Sequence, residues 1–440
     1  MSDRHSSAVS AFWFRRDLRL DDNAGLSAAF KSGRPVFPVF IFDHQILENL
    51  DKTDARVEFI HQRLVKLHAN LKTLGSGLNV YHGDPLKIWR ELFKQRNITS
   101  VHCNEDYEPY ALGRDSAVAE IAKARKVDFS VCKDQVIFAK NEVVKDSGEP
   151  YRMFTPYARR WKSQLRPTDL LTHGAHSENK NWASDSGSHV PTLNELGFKE
   201  SGLSFPPAVL SASKLRGYQS TRDLLALAGT SRFGLHLRFG TISVRRLTAV
   251  AREFSETFLN ELIWREFFQQ ILYHFPHTVS EPFDVRYTAL KWRNNDADFK
   301  RWCEGTTGFP VVDAGMRELR TTGFMHNRAR MITASFLCKH LLIDWRRGER
   351  YFAKHLLDFD LAANVGNWQW VAGTGCDAAP YFRVFNPTLQ AKKFDPEGEY
   401  VRRWVPELGT SEYPEPMVDH EMARRRALLA YKAALGKGRL

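Results

Sequence analysis

A parallel-sheet α/β domain followed by a larger, mainly α-helical domain is the fold class that this 440-residue chain predicts, and three observations carry it. Two apolar runs near the N-terminus, VSAFWF (Val9 to Phe14) and PVFPVFIF (Pro35 to Phe42), read as strands covered on both faces, with helical patterns between and after them. Between about Leu165 and Phe205 the pattern decays into Pro, Ser, Gly, Asn, His and Thr. From Ala208 helical periodicity dominates to the C-terminus, without internal repeats or low-complexity tracts. The expected boundaries are 8–130 for the α/β domain, 131–205 for an interdomain linker and 206–440 for the helical domain.

The N-terminal alternation continues element by element. Arg56 to Leu74 reads as an amphipathic helix, Leu78 to His82 as a strand, Leu86 to Gln95 as a helix, Ser100 to Cys103 as a strand and Tyr110 to Ala124 as a helix. Such alternation implies a parallel sheet covered on both sides, with right-handed crossovers. The domain is thus Rossmann-like, but the turn after its first strand is RRDLRLDDN. It holds no glycine, so the G-x-G-x-x-G approach of a pyrophosphate to the backbone is excluded there.

Composition narrows the class further. An excess of 63 Lys and Arg over 51 Asp and Glu gives a net charge of +12, which suits a polyanionic partner such as nucleic acid without specifying one. Five scattered cysteines without C-x-x-C spacing argue against a disulfide framework or a zinc site and fit a reducing compartment. The start carries neither an apolar signal core nor a transit pattern, and the longest apolar run, Val36 to Phe42, is too short to cross a membrane. A cytoplasmic, metal-free protein is expected.

The densest chemistry lies between Met325 and Phe382. In MHNRARMITASFLCKHLL the helical spacing puts Asn327 and Met331 on one face, looking into one pocket. A second helix around Leu361 to Val371 puts Asn364 and Trp368 on a common face and turns Trp370 elsewhere. Asp358 and Asp360 precede it in a loop, where a carboxylate can accept from a heterocycle's N–H edge or pair with an arginine such as Arg330. Taken singly, Trp345, Trp368 and Trp370 read as core aromatics. In ELIWREFF, Glu261, Trp264 and Arg265 share a helical face, which by itself reads as a surface ion pair beside a core tryptophan. In GTSRFG, Thr230, Ser231, Arg232 and Gly234 lie at a loop or helix start able to receive a diphosphate, or simply to cap a helix.

Together, these motifs resemble the cryptochrome/photolyase family, and most closely its cyclobutane pyrimidine dimer photolyases. The resemblance runs from Phe12 to about Ala434 and is densest from Glu261 to Phe385. It implies FAD, reduced and anionic in the active form, held by Tyr218, Thr230, Ser231, Arg232, Gly234, Asn327, Arg330, Asp358, Asp360 and Asn364. The usual Leu, Ser and Pro are replaced here by Phe233, Gly234 and Leu235, so a hydroxyl at 234 is lost while its N–H remains. The dimer would meet Glu261, Trp264, Asn327, Met331 and Trp370. Trp292, Trp345 and Trp368 would relay electrons from the surface to the flavin, with Trp302 an aromatic of no assigned role. DNA phosphates would meet Arg222, Arg265, Arg328 and Arg383, beside Glu261 and Trp264.

The implied activity is light-driven electron donation from FAD to a dimer flipped out of single- or double-stranded DNA, by a monomer. Where folate-binding members place an Asn-Glu pair this chain has Tyr110 and Ala111, so a second, antenna chromophore, if bound, is a deazaflavin or flavin mononucleotide rather than folate. Two relatives define the alternatives. A cryptochrome photoreceptor need not keep Glu261, Trp264 and Met331, and a (6-4) photoproduct photolyase is expected to place histidines where this chain has Asn327 and Met331. His326 should point off that face.

Overall fold

The computed structural model describes residues 7–174, 181–184, 189–209 and 211–436. These form two compact units with an interleaved chain path. The first comprises residues up to 139, 164–208 and 233–250, and the second 140–163, 209–232 and 251 onward.

In the first unit five strands, β1 (Val9–Phe14), β2 (Val36–Asp43), β3 (Asn79–Gly83), β4 (Ile98–Asn104) and β5 (Asp128–Cys132), form a wholly parallel sheet in the order β3-β2-β1-β4-β5. Every residue of β1 and β2 is buried, as their unbroken apolar runs require. Helices α1 (Ala24–Lys31), α2 (Ala55–Thr73), α3 (Pro85–Gln95) and α4 (Pro109–Ala124) make the crossovers. Their starts are written in local chemistry: Asn23, Asp54 and Asp84 cap α1, α2 and α3 with their side chains, and Pro85 and Pro109 occupy first-turn positions. The strand order reverses beside β1, where open sheets usually bind ligands. Here that crevice is packed with the side chains of the glycine-free turn: Arg15 is paired with Asp115, and Arg16 with Asp106 at 3.1 Å.

The second unit is helical. Its main elements are α5 (Phe154–Gln164), α6 (Glu256–His274), α7 (Asn327–Ser335), α8 (Trp345–His355) and α9 (Leu361–Ala372), around a core that includes Trp302, Phe336, Trp345 and Trp368. The expected division of the chain differs from these units. The stretch read as a linker, of which residues 175–180 and 185–188 lie outside the described ones, contributes α5 to the second unit. Tyr157 and Trp161 bury there, and the Trp161 indole donates to Glu266 Oε1 at 2.5 Å. The expected single helix of residues 325–342 is also modified: α7 gives way at Phe336–His340 to one wide π turn. That turn seats the buried Lys339, which donates to the Ala372 carbonyl at 2.7 Å and lies 3.7 Å from the Tyr431 ring centroid. Burial pushes its ammonium down to about 7. Lys339 thereby ties the C-terminus of α9 to the core. No helix among the described residues is long and apolar enough to cross a membrane.

Candidate active site

Helices α7 and α9, with the loop between α8 and α9, enclose a cavity of about 550 Å³ of empty space, the opening to solvent included. Its lining brings together seven residues singled out from sequence: Asn327, Arg330, Met331, Asp358, Asp360, Asn364 and Trp368. The reason is helical geometry: Asn327 and Met331 are one turn apart on α7, and Asn364 and Trp368 one turn apart on α9. Arg330 donates to both Asp358 oxygens at 3.1 and 2.9 Å and to the Met325 carbonyl at 2.8 Å, which fixes the guanidinium at the wall. Asp360 caps α9 by accepting from the Ala363 N–H. Asn364 gives its amide nitrogen to Glu349 Oε1 at 2.9 Å, leaving its carbonyl oxygen as the acceptor it can offer.

The donor set suits a flavin dinucleotide. Trp368 and Phe352 give the cavity an aromatic wall and the two aspartates give it acceptors. Arg232 and Arg330 both lie over the ring of Phe324, at 4.3 and 5.5 Å from its centroid. Arg232 has φ +55°, an uncommon conformation for a residue with a side chain. Thr230 and Ser231 precede it in a loop, while Gly234 opens a short helix, Gly234–Arg238, that belongs to the first unit. Tyr218 is buried edge-on to Phe258 and lies outside the cavity lining.

Glu261 and Trp264 stand on α6, outside the cavity lining. Glu261 accepts from Arg222 at 2.5 Å; Asp223 accepts from Arg328 on α7 at 2.7 Å, and the other amino group of Arg328 reaches Met331 Sδ at 3.6 Å. This chain of contacts links Glu261 to the face that carries Asn327 and Met331. Although 30% of the Glu261 side chain is exposed, burial raises its carboxyl above the usual carboxylate range, against the opposing pull of Arg222. Trp264 lies one turn on. Trp370 is half-buried against the core and does not line the cavity. Arg265 is half-buried on α6, and Arg383 is exposed with its guanidinium 5.3 Å from the Phe385 ring centroid.

His326 does point away from this face. It caps α7, its Nδ1 accepting from the Arg328 N–H at 3.1 Å; it is 3% exposed, and burial pushes it down to about 4. Of the three tryptophans expected to form a relay, Trp368 lines the cavity, Trp345 opens α8, and Trp292 stands half-buried, edge-on to Tyr431 at 6.2 Å. Trp302, given no role from sequence, stands edge-on to Trp368 at 6.2 Å with its indole donating to the Thr333 carbonyl. Sequence reasoning missed Phe154, Arg222 as the partner of Glu261, Glu349 as the partner of Asn364, and Phe324 beneath two arginines. Each depends on contacts between segments far apart in sequence.

A family profile described as DNA photolyase matches residues 10–175, and one described as the FAD binding domain of DNA photolyase matches residues 258–412. The deoxyribodipyrimidine photo-lyase of Synechococcus sp. is 37% identical over 98% of this chain and 98% of that protein. Among solved structures, the class III photolyase of Agrobacterium tumefaciens superposes with a TM-score of 0.87 at 34% identity, covering 98% of this chain and 99% of that one. An archaeal photolyase from Sulfolobus tokodaii with two FAD molecules gives 0.83 at 34% identity, covering 96% and 99%. With such identity sustained along nearly its whole length, the chain belongs to the DNA photolyase family.

Proposed function

We propose that this protein is a light-driven cyclobutane pyrimidine dimer photolyase that holds reduced FAD in the α7/α9 cavity and repairs damaged DNA. The observation that carries the reading is the convergence of Asn327, Met331, Arg330, Asp358, Asn364 and Trp368 on one cavity in a chain of this family. When bound, FAD supplies the light-driven electron that splits the dimer and recovers it afterwards. The chain's own residues bind, orient and exclude water. Asp358 is held by Arg330, and Asp360 by the start of α9, as acceptors for the ring edge; Asn364 offers an uncharged acceptor. Arg232, with Tyr218, Thr230, Ser231 and Gly234, serves the diphosphate side. Trp292, Trp345 and Trp368 carry electrons inward.

Glu261, Trp264, Asn327, Met331 and Trp370 face the dimer. Burial raises the Glu261 carboxyl above the usual carboxylate range against the pull of Arg222, which puts a group able to carry a proton at the carbonyl edge of the electron-bearing dimer. A flipped-out dimer is the form this wall would receive, and its disturbed pairing makes extrusion cheaper, by about a few kcal/mol at most. Arg222 and Arg328 are committed to carboxylates in the DNA-free protein, so phosphate binding there exchanges partners; Arg265 and the exposed Arg383 extend the same face. A monomer acting in the cytoplasm on single- or double-stranded DNA completes the reading. A second chromophore of flavin type is consistent with the two-FAD relative.

The test is repair with chemically reduced FAD under blue light, for wild type and Glu261→Ala. Wild type restores dimers only in the light, and the variant loses several-fold in yield per photon but less in dimer affinity, because the carboxyl acts most strongly once the dimer carries the extra electron. No light-dependent repair by wild type overturns the proposal. A normal yield with weaker binding reassigns Glu261 to ground-state binding.

A further inference from the structure

The Trp264 indole is itself held. Phe154, the first residue of α5, lies face to face on it, with ring centroids 3.6 Å apart and planes within 5°. Isolated aromatic pairs prefer offset or edge-on packing, so a stack this close to eclipsed is imposed by the elements that carry the rings. Helix α5 is fastened along α6 by the Trp161 indole on Glu266, at 2.5 Å, and by Tyr157 against Phe267, with centroids 5.2 Å apart. At its start, the Phe154 N–H donates to Asp377 Oδ2 at 3.3 Å. Asp377 belongs to the glycine-rich loop after α9 and sits at φ +49°, a conformation held by its surroundings rather than preferred. Phe268, 5.4 Å away and tilted by 29°, flanks the same indole. Phe154 thus reaches the indole from one distant segment and is tethered to a second, while Phe268 flanks the ring from its own helix.

We infer that Phe154 is a positioning residue for dimer recognition: stacked on Trp264 and tethered to Asp377, it fixes the plane of the indole that the pyrimidine dimer meets. The inference rests on the photolyase reading above. A mobile plug, occupying the dimer's place until displaced, is the opposite device. The anchoring of α5 at Trp161 and Tyr157 favours a fixed backing, and the two differ in the sign of their effect on affinity.

The experiment measures binding of the FAD-loaded protein to an oligonucleotide with one thymine cyclobutane dimer and to the same oligonucleotide intact. Phe154→Leu weakens dimer binding by roughly threefold to tenfold, as the loss of one aromatic stack implies, and leaves intact DNA binding unchanged. Phe154→Tyr restores affinity to the wild-type level, and Phe154→Leu costs nothing further in a Trp264→Leu background. Phe154→Met, close in volume, carries the same expectation should the leucine variant not fold. Unchanged or tighter dimer binding, equal loss on both oligonucleotides, or a loss that persists without Trp264 overturns the inference. A wild-type protein that does not distinguish the two oligonucleotides overturns the functional reading, and this inference with it.

Discussion

Replacing Trp345 by phenylalanine is expected to abolish the photoreduction of oxidised FAD while leaving repair intact when the flavin has been reduced chemically beforehand. Trp345 is 1% exposed, and its indole N–H has no hydrogen-bond partner among the described residues. A buried donor left unpaired costs about 1–3 kcal/mol, so this ring is not kept for its hydrogen bonding. Phenylalanine fills much of the same space without the stranded donor, so the variant should unfold at or near the wild-type temperature. That control separates a broken electron path from a broken fold. Helix α8, which begins at Trp345, packs on α9 at Trp368, placing the residue between the core and the cavity wall. Photoreduction at the wild-type rate would show that the relay bypasses Trp345, and the Trp302 ring beside Trp368 would then be the place to look.

Gly348→Ala should destabilise the second unit. A Cβ at Gly348 would lie 2.2 Å from Trp368 Cη2 and 2.5 Å from Leu337 Cδ2, both on buried side chains with little room to retreat. Two effects oppose each other. Alanine in place of glycine inside a helix gains about 1 kcal/mol of helical preference, while overpacking a close-packed core costs about 1–3 kcal/mol. With contacts this short the second effect wins. Because Trp368 lines the cavity, its displacement should also lower the amount of FAD that copurifies with the protein. Thermal unfolding and the flavin-to-protein ratio check both consequences; wild-type values for the two would mean that the α8/α9 contact yields more easily than its geometry implies.

How much of this was legible in the sequence depended on the range of the interaction concerned. Strands β1 to β4 and the helices around Asn327 and Asn364 follow from apolar periodicity, a local property. The same is true of the pairing of Asn327 with Met331 and of Asn364 with Trp368. Pairing with Arg330 was one of two roles the sequence left open for Asp358 and Asp360, and Asp358 takes it. Strand β5, short and partly exposed, lacked a strong pattern. Helix α5 was read as linker because only Tyr157, Ala158 and Trp161 of its residues bury, and what they bury against lies about a hundred residues away. The chain's return to the first unit at residues 233–250 is likewise decided by distant packing, including the buried Arg245 on Asp22 and Asp134. The π turn at Phe336–His340 has no periodic signature, since it serves one lysine's reach to Ala372. The relay of tryptophans came from resemblance alone, because spacing in sequence carries no information on ring-to-ring distance.

The proposed site distinguishes between two kinds of lesion. On the proposed reading the dimer meets Glu261, Trp264, Asn327, Met331 and Trp370, whose aromatic and thioether surface carries few polar groups and suits the compact cyclobutane dimer. Repair of a (6-4) adduct also needs a proton donor of the imidazolium kind. His326 does not supply it, because it is buried in the cap of α7 and neutral with a pKa pushed down to about 4. The direct measurement is to give the FAD-reduced protein both lesions in parallel, in otherwise identical DNA, under blue light. Restoration of cyclobutane dimers with (6-4) adducts untouched is the predicted result; repair of (6-4) adducts, or of neither lesion, contradicts it.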